Sequence, residues 1–284
     1  MNPFRTFEIS DAALAPPGLR FVTVKSAALG QRADITLYVP PQVDANAQGR
    51  RDVPIVLLLH GVYGSHWAWA FKGGAHVTAQ RLIDAGAIPP LVLAMPSDGL
   101  WGDGSGYVRH AERHGAQDFE RWVVDEVPAA VLQACTSCSD ASPLCIAGLS
   151  MGGYGALRLA GRYPQRFACA AAHSSMTELV QFDKLVAEPR HAWRAEPDDG
   201  SVLAALLAAP ARLPPLRLDC GVDDPFIAGN RQLHDELTRH GIAHEYAEHA
   251  GGHSWDYWAR HVEDSLRFFG KHLAHRQPLK ESPR

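Results

Sequence analysis

The chain has 284 residues, 46% of them hydrophobic, and 31 acidic against 27 basic side chains, for a formal net charge of -4. That length and apolar content suit a single α/β domain spanning residues 1–284 with an ample core. The near-balanced charge supplies no field to gather a polyanion, which argues against nucleic acid and against an anionic membrane as partners. A small, neutral or weakly charged molecule is the expected ligand.

Residues Met1 to Ala15 carry Glu8 and Asp11 and no apolar run of signal-peptide length. No later stretch approaches the roughly 18 apolar residues of a membrane span, so a cytoplasmic location is expected. Five cysteines, an odd and small number, do not suggest a disulfide framework. Cys135 and Cys138 form one C-x-x-C, but zinc would need two further ligands at matching spacing and a redox motif would sit in another setting. The pair reads as a helix end running into a loop.

Leu19 to Ser26 and Asp34 to Val39 show partial alternation and are closed by Pro40-Pro41, which predicts an antiparallel ribbon at a sheet edge. Val53 to His60 is a continuous apolar run, as a parallel strand buried on both faces requires. Pro89 to Met95, Leu144 to Ala147, Phe167 to Ala172 and Leu216 to Cys220 repeat that pattern, and Ala243 to Glu248 is strand-like. Between these runs, Ala75 to Ala85, Phe119 to Ala134, Met151 to Tyr163, Gly229 to His240 and Ser254 to His272 carry apolar residues at three- and four-residue spacing, hence helices. Pro128 should kink the second of these or mark a new first turn. The alternation predicts a mostly parallel central sheet with helices on both faces.

Two stretches break the pattern. Ser97 to Gln117 holds five glycines, and a loop of that length in a compact domain is usually functional. Ser174 to Pro215 holds five prolines and the apolar run Val202 to Ala209, and reads as a small helical cap inserted over the sheet's carboxyl edge.

Gly148-Leu149-Ser150-Met151-Gly152 matches G-x-S-x-G, with a predicted strand before it and a helix after it. A strained strand-to-helix turn that pushes a serine Oγ into the open needs small residues on both sides, and Gly148, Gly152 and Gly153 provide them. Serine is a poor nucleophile until an imidazole takes its proton. In folds built on such an elbow the order is Ser, then Asp or Glu, then His on a loop after the last strand. His253, in Gly251-Gly252-His253-Ser254-Trp255, fits that place; His249 and His244 read as surface or packing residues. Asp219 falls inside a strand, whereas Asp223 and Asp224 lie in the loop beyond it, and spacing alone does not separate those two.

An oxyanion needs two aimed donors. The N–H of Met151 is the first. The turn His60-Gly61-Val62-Tyr63-Gly64 supplies the second through Val62, with Tyr63 as the neighbouring alternative. Trp67, Trp69, Trp101 and Tyr107 lie in loops that should surround the serine, and they are candidate substrate-binding residues, packing beneath the cap being the alternative. His110-Ala111-Glu112-Arg113-His114 has two histidines four apart but is not H-E-x-x-H, so no metal and no organic cofactor is expected.

HGVYGSHWAW, the Pro-Ser-Asp-Gly-Leu-Trp loop, DFERWVVDEVPAAV, GLSMGGYGA, CGVDDPF and GGHSWDYW together resemble the putative-esterase family of α/β-hydrolases. That family includes S-formylglutathione hydrolase (esterase D), tributyrin esterases, feruloyl esterases and the antigen 85 group. The likeness runs from about Ala33 to Leu273. It implies an α/β-hydrolase fold and a serine carboxylesterase whose serine is Ser150, whose histidine is His253 and whose acid, the second of two adjacent acidic positions, is Asp224. It places the oxyanion donors on Val62 and Met151. His60-Gly61 and Gly252-His253-Ser254-Trp255 depart from the corresponding loops of S-formylglutathione hydrolase and lean toward the tributyrin-esterase branch. The expected partner is a small-molecule ester with a short acyl group, and a homo-oligomer is compatible with the sequence. An acetyl or feruloyl carbohydrate esterase, an acyltransferase with the same triad, and a non-catalytic binding module are the alternatives.

Overall fold

A computed structural model describes residues 4–44, 51–99, 102–110, 117–188, 193–194 and 200–274. The chain opens with β1 (Phe7–Ile9), β2 (Leu19–Lys25) and β3 (Arg32–Tyr38), the short helix α1 (Pro41–Asp44) and then β4 (Ile55–Leu59). Helices α2 (Ala68–Phe71) and α3 (Ala75–Asp84) lead to β5 (Val92–Pro96). Two-residue strands β6 (Arg109–His110) and β7 (Gln117–Asp118) precede α4 (Phe119–Arg121) and α5 (Val127–Ala134). Strand β8 (Leu144–Leu149), helix α6 (Met151–Arg162) and strand β9 (Cys169–His173) follow, with only Ser150 between the first two. After β10 (Trp193–Arg194) and α7 (Val202–Leu207) come β11 (Leu216–Gly221), α8 (Ile227–Arg239), β12 (His244–His249) and α9 (Trp255–Ala274).

Nine strands form one sheet in the order β1-β2-β3-β5-β4-β8-β9-β11-β12, and β10, β6 and β7 form a small second one. The predicted ribbon is β2 with β3, antiparallel from Leu19 opposite Tyr38 to Lys25 opposite Arg32. Across the nine-stranded sheet from β5 to β12 every pairing is parallel. β5 and β8 lie on opposite sides of β4, so the chain reverses its direction across the sheet there. The loops after β4 and β8 therefore open side by side, the place where α/β sheets bind ligands.

Strand periodicity explains the two cores. Ile55, Leu57 and Leu59 of β4 face one cluster, with α5, α6 and α7, while Val56 and Leu58 face the other, with α3 and α9. Both faces are covered, which is why the run reads as continuously apolar. Pro128 sits in the first turn of α5, and Trp122–Glu126 ahead of it form a π-helical turn. A proline denies the carbonyl four residues back its hydrogen bond; that carbonyl, on Val124, accepts instead from Arg166 Nη2 at 2.7 Å. Cys135 caps the end of α5, and the Cys138 N–H returns to the Cys135 carbonyl at 3.1 Å, so the C-x-x-C is a helix end and turn.

The segment between β9 and β11 divides. Leu179–Lys184 forms a 3-10 helix at the carboxyl end of the sheet, while α7 is a crossover helix whose Val202 and Leu206 are buried in the main core. No helix of the described residues is long and apolar enough to cross a membrane.

A buried polar cluster ties β9, β11 and α9 together. Asp219 of β11 is fully buried; it accepts hydrogen bonds from Arg217 and, at 2.9 Å, from the Tyr257 hydroxyl, and it lies 2.8 Å from His173 Nδ1. Ser265 of α9 joins through His173 Nε2 at 3.0 Å and Arg217 at 3.2 Å. Burial alone would raise the Asp219 carboxyl, but His173 and Arg217 more than offset it and hold it well below the usual carboxylate range. A depressed folded pKa contributes stability that is present above the unfolded value of about 4 and lost as pH falls. Breaking one side of such a pair costs about 3–5 kcal/mol. Asp219→Asn should therefore lose stability on that order in urea unfolding near neutral pH, with the gap to wild type closing as the solution is acidified. A loss under about 0.5 kcal/mol, the usual size for a neutral surface change, would contradict this reading.

Candidate active site

The turn from β8 into α6 carries Ser150 at φ 54° and ψ -117°, a conformation non-glycine residues rarely adopt. Hydrogen bonds hold it on both sides: the Ser150 N–H donates to the His173 carbonyl at 3.0 Å, and its own carbonyl accepts from Tyr154 at 3.0 Å and Met176 at 3.3 Å. The flanking glycines are required by contact distance. A Cβ on Gly148 would sit 2.2 Å from the Gly152 backbone, and one on Gly152 would sit 2.2 Å from the Leu59 carbonyl oxygen.

The loops after β11 and β12 are joined to each other. Val222 N–H donates to the His249 carbonyl at 2.9 Å and Asp223 N–H to the Gly251 carbonyl at 3.0 Å. A Cβ on Gly221 would meet the Gly251 oxygen at 2.2 Å, so the two loops run in backbone contact. Beyond that junction Asp223 is exposed and Asp224 is buried. Asp224 Oδ1 accepts the Phe226 N–H at 2.8 Å and Oδ2 lies 2.8 Å from His253 Nδ1. His253 Nε2 is 3.0 Å from Ser150 Oγ. With Nδ1–H donating to a carboxylate, Nε2 is the lone-pair nitrogen that faces the serine hydroxyl. Phe226 and Trp258 stand edge-on to the imidazole, at 5.1 and 4.8 Å between ring centres, and fix its plane.

Of the two oxyanion candidates in the loop after β4, Tyr63 is already engaged: its N–H donates to the Asp103 carbonyl at 2.7 Å. Val62 N–H has no such bond among the described residues, and Met151, as the first residue of α6, has no intrahelical acceptor. The long glycine loop buttresses this turn. Tyr107 OH donates to the His60 carbonyl at 3.1 Å, His60 Nδ1 bonds the Gly61 carbonyl at 2.7 Å, and Asp98 receives the Ser105 N–H at 2.9 Å.

A cavity of about 870 Å³ opens over Ser150 and His253. Trp67 lines it. Trp69 does not: it is 1% exposed, its indole N–H donates to the Leu59 carbonyl at 2.9 Å, and it packs edge-on to Trp255. Tyr107 does not either, being buried beneath the His60–Gly64 turn with its ring against Gly155. Both are corrected from substrate contacts to supports; in each case the side chain turns inward to a backbone acceptor. Trp101 lies outside the described residues. The sequence reading missed Tyr63, Lys72, Phe226, Trp255 and Trp258 as wall residues, and with them Val180, Gln181, Lys184 and Leu185. Trp255 and Trp258 stand close behind His253 in sequence, and that proximity was a usable signal.

His110 is buried, its Nε2 bonds the Ser105 carbonyl at 2.8 Å, and burial pushes its pKa down to about 4; His114 lies outside the described residues. The donor atoms of His249, His261 and Asp264 lie within 4.8 Å of one another. They fit a metal poorly: the two rings stack at 4.1 Å and 11°, so in-plane lone pairs do not converge on one ion.

The sequence pattern of a family described as putative esterase matches residues 26–269. The chain belongs to the putative esterase family. As a member it is an enzyme acting on carboxylic esters, built on the α/β-hydrolase fold. An acetyl esterase of Caldicellulosiruptor saccharolyticus is 25% identical over 231 residues, covering 75% of this chain and 82% of that one. An S-formylglutathione hydrolase of Paracoccus denitrificans is 28% identical over 239 residues, 79% of each chain. A solved ferulic acid esterase superposes with a TM-score of 0.76 at 22% identity, over 95% of this chain and 99% of that one.

The contact at the elbow makes a prediction. Gly148→Ala forces the Gly152 backbone away and displaces Ser150 from His253, so esterase activity should fall by about 100-fold or more while the far-ultraviolet circular dichroism stays close to wild type. Activity within threefold of wild type would show that the turn has slack that the 2.2 Å distance denies.

Proposed function

We propose that the chain is a serine carboxylesterase that cleaves short-acyl esters through an acyl-enzyme on Ser150. Ser150 Oγ attacks the ester carbonyl carbon as His253 Nε2 takes the hydroxyl proton. The carbonyl oxygen, now negative, is received by the N–H groups of Val62 and Met151. The C–O bond to the alcohol breaks as His253 returns the proton to the leaving oxygen. Water then repeats the sequence: His253 removes its proton, the hydroxyl attacks the acyl carbon, and Ser150 leaves reprotonated. Asp224 holds the Nδ1–H tautomer throughout and balances the imidazolium that forms. The observation that carries this reading is the hydrogen-bonded series from Asp224 Oδ2 through His253 to Ser150 Oγ, at 2.8 and 3.0 Å, with Asp224 buried and Asp223 turned out to solvent.

Three variants test it together, with p-nitrophenyl acetate as substrate. Ser150→Ala and Asp224→Asn should each lower kcat by about 10⁴-fold, and Asp223→Asn by less than about threefold. A damaging Asp223→Asn beside a mild Asp224→Asn would reassign the acid.

The short-acyl preference is supported by the walls. The Tyr63 hydroxyl donates to the Leu185 carbonyl, which joins the oxyanion turn to the segment after the 3-10 helix, and Val180 and Leu185 line the side so enclosed. Each methylene that such a wall refuses forfeits about 0.8 kcal/mol of burial. Along a series of p-nitrophenyl esters from acetate to palmitate, kcat/KM should therefore peak at about six carbons or fewer. A maximum at about ten carbons or more would mean an open acyl groove.

A further inference from the structure

The cavity over Ser150 is lopsided in charge and in hydrogen-bonding character. Its lining includes two ammonium groups, Lys72 and Lys184, and no carboxylate, in a chain where acids outnumber bases 31 to 27. Lys72 Nζ stands 5.3 Å from the centre of the Trp255 ring, itself part of the wall, and among the described residues neither lysine is in an ion pair. The neutral polar groups are lopsided in the same sense. Gln181 Oε1 is occupied by the N–H groups of Thr177 at 2.7 Å and Glu178 at 3.0 Å, which leaves its amide hydrogens as the group it can offer. The Tyr63 hydroxyl is the exception: its proton goes to the Leu185 carbonyl, which leaves its oxygen as an acceptor. Trp258, 6% exposed and beside His253, has a buried indole N–H with no acceptor among the described residues. A buried donor without a partner is unfavourable unless a ligand supplies the missing oxygen.

A wall of cations and donors with no competing acid selects an anionic, oxygen-rich group, while Trp67, Trp255 and Phe226 supply apolar surface for the rest of the molecule. We propose that the ester taken by this site carries a carboxylate, bound at the cavity mouth by Lys72 and Lys184. This rests on the reading of Ser150 as the esterase nucleophile and names the class of ester it acts on. Both lysines are exposed, so each ion contact is individually modest and screened by salt. The pair together accounts for a preference of about tenfold.

Matched ester pairs read the preference. On the acyl side, 4-nitrophenyl hydrogen adipate is compared with 4-nitrophenyl hexanoate; on the alcohol side, 4-acetoxybenzoate is compared with its methyl ester. Each kcat/KM is divided by the same ester's rate with hydroxide, for wild type and for the double variant K72M/K184M. The expected result is an acid-over-neutral ratio of about ten or more in at least one pair at low ionic strength, shrinking at about 0.5 M salt and falling to within about twofold of unity in the double variant. The pair that shows it identifies which half of the ester carries the carboxylate. A ratio at or below one in both pairs, or a ratio the double variant leaves intact, overturns the proposal. If neutral esters still turn over and Ser150→Ala abolishes that turnover, only the carboxylate inference has failed; if no ester is turned over in a Ser150-dependent way, the esterase reading has failed with it.

Discussion

Everything at the site depends on how closely the backbone after β8 can approach the backbone after β4. Ser150 is held at positive φ by backbone hydrogen bonds to His173, Tyr154 and Met176, and Gly148 and Gly152 are in contact with neighbouring carbonyls at distances that exclude a methyl group. That contact turns the serine side chain outward at the point where the sheet reverses its winding. The Val62 turn opens at the same point, because β4 and β8 are direct neighbours with Leu59 opposite Gly148. The Val62 turn and Ser150 are thus brought together by strand order, before any side chain chooses a partner.

Asp224 and His253 arrive by a second junction of the same kind. β11 and β12 run parallel with Gly221 opposite His249, and their outgoing loops are hydrogen-bonded to each other. The junction directs the Asp223 side chain to water and leaves Asp224 to enter the protein. Beneath it, Asp219, Arg217, His173, Tyr257 and Ser265 connect the strand that leads to Asp224, the helix that follows His253 and the strand whose last carbonyl holds the Ser150 N–H. A buried ionic cluster is weak evidence for net stability but strongly resists rearrangement once one partner is set. Its position at the meeting of β9, β11 and α9 suits a scaffold whose task is to keep three loops in register.

The parts of this arrangement that are legible in the sequence are those with local causes. Continuous apolar runs mark the parallel strands because both faces are covered, and G-x-S-x-G marks the elbow because steric contact demands glycine there. The choice between Asp223 and Asp224 was open from spacing, since it depends on a hydrogen bond to Gly251, a residue far along the chain. Trp69 and Tyr107 were misassigned for a related reason. Which way a ring turns in a four-residue helix or an irregular loop is decided by tertiary acceptors, here the Leu59 and His60 carbonyls. The strands β6, β7 and β10 are too short for periodicity to appear, and the Phe7–Ile9 edge strand has no pattern of its own. Lys184 and its neighbours reach the cavity only because the crossover between β9 and β11 bends over it, which no spacing rule encodes.

The most direct test of Ser150 as the nucleophile is to catch the acyl group on it. Enzyme mixed with excess p-nitrophenyl acetate, quenched in acid within the first turnovers, and digested for mass spectrometry should carry one acetyl group, located on Ser150, with a matching burst of p-nitrophenol of about one equivalent. Acetyl on another residue with Ser150 unmodified, or full turnover by enzyme whose Ser150 has been blocked by a fluorophosphonate, would contradict the account.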